Sequence, residues 1–89
     1  MASIDYDRNA RIFKALSHPT RIHLLELILE KRPCVKVMEE TLGLAQPNIS
    51  QHLSLLRNLG IVHAERDGNQ VCYRISNDRI TKLIDLISD

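Results

Sequence analysis

The stretch Leu42-Gly43-Leu44-Ala45-Gln46-Pro47-Asn48-Ile49-Ser50-Gln51-His52-Leu53 reads as the end of one helix, a tight turn and the start of another. Every other segment is arranged about it. Upstream, Val37, Met38, Thr41 and Leu42 recur at helical spacing and are expected to form the buried face of the first helix. Gly43 supplies the left-handed residue that stops it. Pro47 suits the first turn of the second helix, where a missing N–H costs nothing, and Ile49, Leu53, Leu56 and Leu59 then share one inner stripe. The outer face keeps Gln46, Asn48, Ser50, Gln51 and His52. These are short hydrogen-bonding side chains nearly without charge, the kind that pair with base edges in the major groove of DNA. A helix face that is merely solvated is ordinarily filled with lysine and glutamate, so the pattern predicts a base-reading helix.

With 89 residues the chain has room for one domain, residues 1–89, and one small core that invites help from a partner. Apolar residues make up 44% and charged residues 26%, the composition of a water-soluble globular protein. No stretch reaches membrane-spanning length, and the start, Met1 to Asp7, lacks the basic and apolar regions of an export signal. The expectation is therefore a cytoplasmic protein with no membrane partner. Cys34 and Cys72 are too few and too far apart for a disulfide scaffold or a paired zinc motif, and in a reducing cytosol they are expected to rest as free thiols. The formal charge of +1 weighs against nucleic-acid binding, which usually comes with a basic excess. Residues 1–32 nevertheless set Arg8, Arg11, Lys14, Arg21, Lys31 and Arg32 against Asp5, Asp7, Glu26 and Glu30, while the rest of the chain is balanced or slightly acidic. Any DNA surface must then be a local patch with few phosphate contacts per subunit, which favours a dimer.

A first helix is expected from about Asp5 to Leu16, with Ala10, Ile12, Phe13 and Leu16 as its apolar positions. A second starts at Pro19, capped by Ser17 or His18; it is apolar on most sides, which makes it the central one, and Pro33 breaks it. A very short strand around Cys34-Val35 precedes the helix-turn-helix. After Gly60, two strand-like runs flank Asp67-Gly68-Asn69, a hairpin signal centred on Asp-Gly. Val71, Tyr73 and Ile75 should share its inner face and Gln70, Cys72 and Arg74 its outer one. Ser76-Asn77-Asp78 caps a last helix carrying Ile80, Leu83, Ile84 and Ile87. The predicted fold is mainly α with a small β-hairpin wing, a winged helix-turn-helix of order α-α-α-α-β-β-α. On so small a chain the last stripe is better explained by a second copy than by the domain's own core, so a homodimer is expected through Ile12, Phe13, Ile80, Leu83, Ile84 and Ile87.

Over nearly its whole length the chain resembles the arsenic-repressor-type (ArsR/SmtB) winged-helix regulators. Four blocks carry the likeness: Leu16-Ser17-His18-Pro19-Thr20-Arg21, Leu44 to Leu53 with Leu56-Arg57 behind it, Gly60-Ile61-Val62, and Asp67 to Ile75. The resemblance implies a dimeric repressor that binds a dyad-symmetric operator in double-stranded DNA and is released by a chemical signal. By position it implies that Gln46, Asn48, Ser50, Gln51 and His52 read bases or hold phosphate, with Arg57 behind them and Arg66, Asn69 and Gln70 on or near the wing. Ala45 stands where such proteins often have a capping serine, a loss of about 1 kcal/mol of local helix stability.

The family's sensing sites do not transfer. Its soft-metal sensors carry Cys-Val-Cys at the start of the third helix, because such ions want several thiolates together. Here the triplet is Cys34-Val35-Lys36, and an ammonium replaces the second thiolate. The zinc site of the last helix needs histidine, and this last helix offers Asp78, Asp85 and Asp89 without one. His18 reads as a helix-cap neighbour, His52 as a DNA contact or edge-of-core residue, and His23 and His63 as surface residues. No metal site and no cofactor are expected. In winged helices the segment that holds Cys34 often pairs as a short strand with the far wing strand, where Cys72 lies, so the two could come close. Two readings of them stand: small half-buried hydrophobes, or thiols for redox or reactive-sulfur sensing that the nearby Lys36 and Arg74 bias toward thiolate. No phosphate loop, nucleophile motif or carboxylate pair points to an enzyme. The rivals to a DNA-binding repressor are a winged-helix protein-interaction module, which the near-neutral charge favours, and a family repressor with a metal site not recognisable in the sequence.

Overall fold

Asp5 opens the first helix in the expected way, its carboxylate accepting from the Arg8 N–H at 3.0 Å. The structure, a computed structural model describing residues 3–31 and 34–88, follows α1 from Tyr6 to Leu16 and α2 from Pro19 to Lys31. His18 caps α2, its Nδ1 accepting from the Thr20 N–H at 3.2 Å. Pro33, expected to end that helix, lies outside the described residues. The helix-turn-helix is α3, Val35–Leu42, and α4, Gln46–Asn58. Between them Gly43 takes φ 65° and donates its N–H to the Glu39 carbonyl at 2.9 Å.

β1, Val62–Asp67, and β2, Gln70–Ile75, form the antiparallel wing, and α5, Asp78–Ile87, closes the described fold. The hairpin sits one residue later than its sequence signal suggests. Asp67 pairs with Gln70 as the last rung, so the turn is Gly68-Asn69, with Gly68 at φ 63° in the first central position. Two-residue hairpin loops need a positive φ there, which glycine supplies without a Cβ penalty. The expected short strand before α3 is a single bridge, Cys34 to Cys72.

Leu24, Leu25 and Ile28 put α2 at the centre, and Met38, Ile49, Leu53, Leu56, Ile61 and Val62 close around them. α3 buries a different line from the one its spacing suggests. The inner positions are Val35, Met38 and Leu42, while Val37 and Thr41 face water. Eight residues make barely two turns, so one buried methionine sets the roll of the helix and the neighbouring stripe, about 100° round, is left outside. On β2 the inward positions are Tyr73 and Ile75, whereas Val71 is exposed near the hairpin tip and Cys72 is half-buried against the start of α3.

The terminal stripe corrects a larger expectation. Ile12, Ile80 and Ile84 are 7%, 2% and 5% exposed and belong to the chain's own core, because α5 lies across α2 and β2 and covers the apolar end of the domain. Leu83 is half-buried at the edge of that core. Phe13 and Ile87 remain in solvent at 59% each. The architecture is a winged helix-turn-helix, and among the described residues no helix is long and apolar enough to cross a membrane.

Candidate nucleic-acid interface

Ile49, Leu53 and Leu56 anchor α4 in the core and fix which side faces out. Gln46, Asn48 and Gln51 are exposed, together with Ser54 and Asn58, which the sequence did not single out. Ser50 and His52 are half-buried. Gln46 donates from Nε2 to the Ser50 hydroxyl at 2.8 Å, so those two are partly engaged with one another. Among the described residues the Asn48 and Gln51 amides have no intramolecular hydrogen bond, and each offers a donor and an acceptor side by side, the pairing that matches adenine in the major groove. Ala45 caps α4 with no side-chain bond, as its missing hydroxyl predicts.

On the wing, Arg66, Asn69 and Gln70 are exposed at the end away from the core. Arg66 has no carboxylate partner among the described residues. Arg74 does: it pairs with Glu65, whose carboxylate also meets His63 Nε2 at 3.3 Å. His63 in turn contacts the Ser76 hydroxyl through Nδ1 at 2.7 Å. Arg57 is exposed at the far end of α4. Asn48, Gln51, Arg57 and Arg66 thus present free polar or cationic groups, while Gln46 and Ser50 share theirs.

His52 sits on the half-buried side of α4. Its ring meets His18 edge to face with centroids 4.8 Å apart. Arg21 Nε donates to His52 Nδ1 at 3.2 Å, and Arg21 Nη1 donates to the Ala15 carbonyl at 3.2 Å. A guanidinium cannot accept, so Nδ1 is the lone-pair nitrogen and the neutral ring carries its proton on Nε2. Burial, then the neighbouring His18 and Arg21, hold the His52 pKa below 6.5. An unfolded chain therefore binds this proton at a higher pH than the folded one, so the contribution to stability is complete above about 6.5 and is lost as pH falls through the lower folded value. Acid titration followed by chemical denaturation should show that loss below about pH 6.5, and His52→Gln should remove this part of it. An unchanged slope in the variant would place the titration elsewhere.

Cys34 and Cys72 meet. Their Cα atoms are 3.9 Å apart and the sulfurs are joined, tying the residue before α3 to the middle of β2. The sequence left the pair open between packing residues and a reactive couple and expected free thiols; the fold brings them together because a chain entering α3 must pass along the free edge of the wing. Lys36, Glu39, Gln46 and Gln70 line a groove of about 380 Å³ beside this link. Among the described residues no three His, Cys, Asp or Glu side chains gather about one point.

Comparison with known proteins agrees with this arrangement. The pattern described as bacterial regulatory protein, arsR family, matches residues 18–64. An uncharacterized HTH-type transcriptional regulator of Mycobacterium tuberculosis, Rv0081, is 41% identical over 80 residues, 89% of this chain and 70% of that protein. The crystal structure of Rv0081 superposes with a TM-score of 0.84 and 38% identity, covering 96% of this chain and 86% of the other. The transcriptional repressor BigR of Xylella fastidiosa superposes at 0.82 with 33% identity, covering 92% and 84%. The homodimeric winged helix-turn-helix DNA-binding domain Mb0332 of Mycobacterium bovis gives 0.84 at 29% identity, covering 98% and 86%.

Proposed function

The chain belongs to the arsR family of bacterial regulatory proteins, and from that membership we propose that it is a homodimeric transcriptional repressor that grips a dyad-symmetric operator and lets go when Cys34 and Cys72 become linked. The observation that carries the DNA reading is the exposed, uncharged amide face of α4, flanked by the free cations Arg57 and Arg66. Asn48 and Gln51 read base edges; Arg57, Arg66 and the wing residues Asn69 and Gln70 hold the backbone. Gln46, Ser50 and His52 shape and support that face. Removing one bidentate amide costs about 1–3 kcal/mol of discrimination, while removing an arginine weakens all sequences alike. Gln51→Ala is accordingly expected to flatten the preference for operator over random duplex, and Arg66→Ala to leave the preference and lower both affinities. Selection of the operator from a random duplex library, followed by titration of each variant, checks this; a Gln51→Ala protein with unchanged preference would sink the assignment. A wild-type protein that retains no duplex at low salt would favour the protein-interaction module instead.

Dimerisation rests on the apolar residues that one chain leaves in water, Ile4, Tyr6 and Phe13 at α1 and Leu86 and Ile87 on α5. It is supported by the homodimeric state of Mb0332. A two-fold pair would set its reading helices at the 34–36 Å interval of successive major grooves, about one turn of the duplex.

The signal is the thiol pair. Two thiols give up two electrons and two protons as the Cys34–Cys72 bond forms, and a small disulfide or polysulfide takes them up as it is cleaved to thiol or hydrosulfide products. The link holds the wing against the start of α3. A wing held there cannot adjust independently of the reading helix as the protein settles on its groove. Reduced wild type should therefore bind the operator more tightly than oxidised wild type, and Cys34→Ser and Cys72→Ser should bind alike under both conditions. If both serine variants still respond to the oxidant, the signal acts elsewhere.

A further inference from the structure

The groove between α1 and α4 has no assigned role. One part, about 660 Å³, runs past Arg11, Lys14 and Arg21 and is walled on the α4 side by Gln51, Ser54 and Asn58. A second part, about 440 Å³, continues past Arg8, Arg11 and Arg57. The two share Arg11, Asn58 and Leu59, so they form one trough. The guanidinium of Arg8 lies at the end of α4, its Nη2 3.5 Å from where a side chain on Gly60 would begin.

Five cations border this trough against one carboxylate, Asp5, which already accepts from the Arg8 N–H. Arg21 is committed to His52 and the Ala15 carbonyl. Arg8, Arg11, Lys14 and Arg57 are exposed and, among the described residues, have no ion-pair partner. Like charges at helical spacing repel, so a row of this kind costs stability unless an anion lies along it. Arg8, Arg11 and Lys14 stand three residues apart on α1, so the row is about 9 Å long at 1.5 Å per residue. Laid along one DNA strand, a row this long faces about two successive phosphates.

We propose that α1 is a second phosphate-holding edge, on which Arg8, Arg11 and Lys14 with Arg57 take the sugar-phosphate backbone of the strand that runs beside the base-reading helix. The proposal rests on the DNA-binding reading above. Gln51 joins the two surfaces, since it stands on the exposed face of α4 and on the wall of the trough. A backbone leaving the bases under Gln51 therefore passes directly between Ser54 and the α1 cations. This edge also accounts for how a chain of formal charge +1 can hold DNA: four of its unpaired cations, Arg8, Arg11, Lys14 and Arg57, are gathered on one trough.

The test is the salt dependence of binding to a random-sequence 30-base-pair duplex, for wild type, Arg11→Gln/Lys14→Gln, and Lys82→Gln on α5 as a control of equal chemistry outside the trough. Each phosphate contact contributes about 0.9 to the slope of log affinity against log salt, so the double variant should lose about 1.8 per subunit and bind more weakly on every sequence. The control should keep the wild-type slope, and circular dichroism should show all three folded. A double variant with the wild-type slope overturns the proposal while leaving the DNA reading intact. So does a trough whose amide resonances move with inorganic phosphate or acetate while that slope stays put, which would assign it to a small anion. A wild type that fails to bind duplex at all overturns both readings.

Discussion

Phe13→Asp combined with Ile87→Asp is expected to give folded monomers that bind an operator about 10²–10⁴-fold more weakly than wild type. Both side chains are 59% exposed in one chain, so their replacement removes little from its core. Across a two-fold axis they count twice, and each large apolar side chain contributes about 1.5–3 kcal/mol when a partner buries it. Carboxylates in their place would also lie unpaired against an apolar surface, at a further cost of several kcal/mol. The loss on DNA follows because a dimer that holds one half-site presents its second head at high effective concentration, and a monomer does not. Ile80→Asp or Ile84→Asp should behave differently. Those residues are 2% and 5% exposed inside the core, so a carboxylate there should unfold the chain before any question of assembly arises. Sedimentation, circular dichroism and a mobility shift on the selected operator separate the two outcomes. A dimeric, operator-competent Phe13→Asp/Ile87→Asp protein would show that the copies meet elsewhere.

Reduction of the Cys34–Cys72 bond is expected to lower stability by about 4 kcal/mol, since residues 38 apart in sequence are joined and loop closure in the unfolded chain scales with the logarithm of that length. For a domain of this size about 4–8 °C of Tm accompanies each kcal/mol, so a thiol reductant should bring Tm down by roughly 15–30 °C. Cys34→Ser and Cys72→Ser should melt at the reduced value with or without reductant. Equal melting curves for oxidised and reduced wild type would mean that the link constrains nothing the folded wing does not already fix.

The elements themselves were legible because each has a local chemical cause. Asp5, His18, Gly43, Gly68 and Asn77 mark starts and stops that any sequence reading can find, and Ile49, Leu53 and Leu56 mark the roll of the reading helix. What failed to show was anything decided across the fold. Periodicity reveals that Ile80, Leu83, Ile84 and Ile87 form a stripe but not what covers it, and α5 divides the stripe between its own core and water. The line buried by α3 depended on the seat available to Met38, a property of the surrounding helices. Charges counted by segment hid the trough, because Arg8, Arg11 and Lys14 become neighbours of Arg57 only after α1 lies beside α4. Cys34 and Cys72 are the exception: the short segment before α3 was already expected beside the wing strand that carries Cys72, and the bridge between them brings the two together.

Arg21 has a mechanical reading as well as a chemical one. With one hand on the Ala15 carbonyl near the end of α1 and the other on His52 in α4, it acts as a strut between the helix that carries Phe13 and the helix that carries Gln51. In the proposed homodimer two such struts make a pair of callipers, with α4 of each copy as a jaw and the pivot wherever the two copies touch. In that assembly a change at the pivot would be carried to the jaws through the two Arg21 contacts, which leave no unbraced gap between α1 and α4.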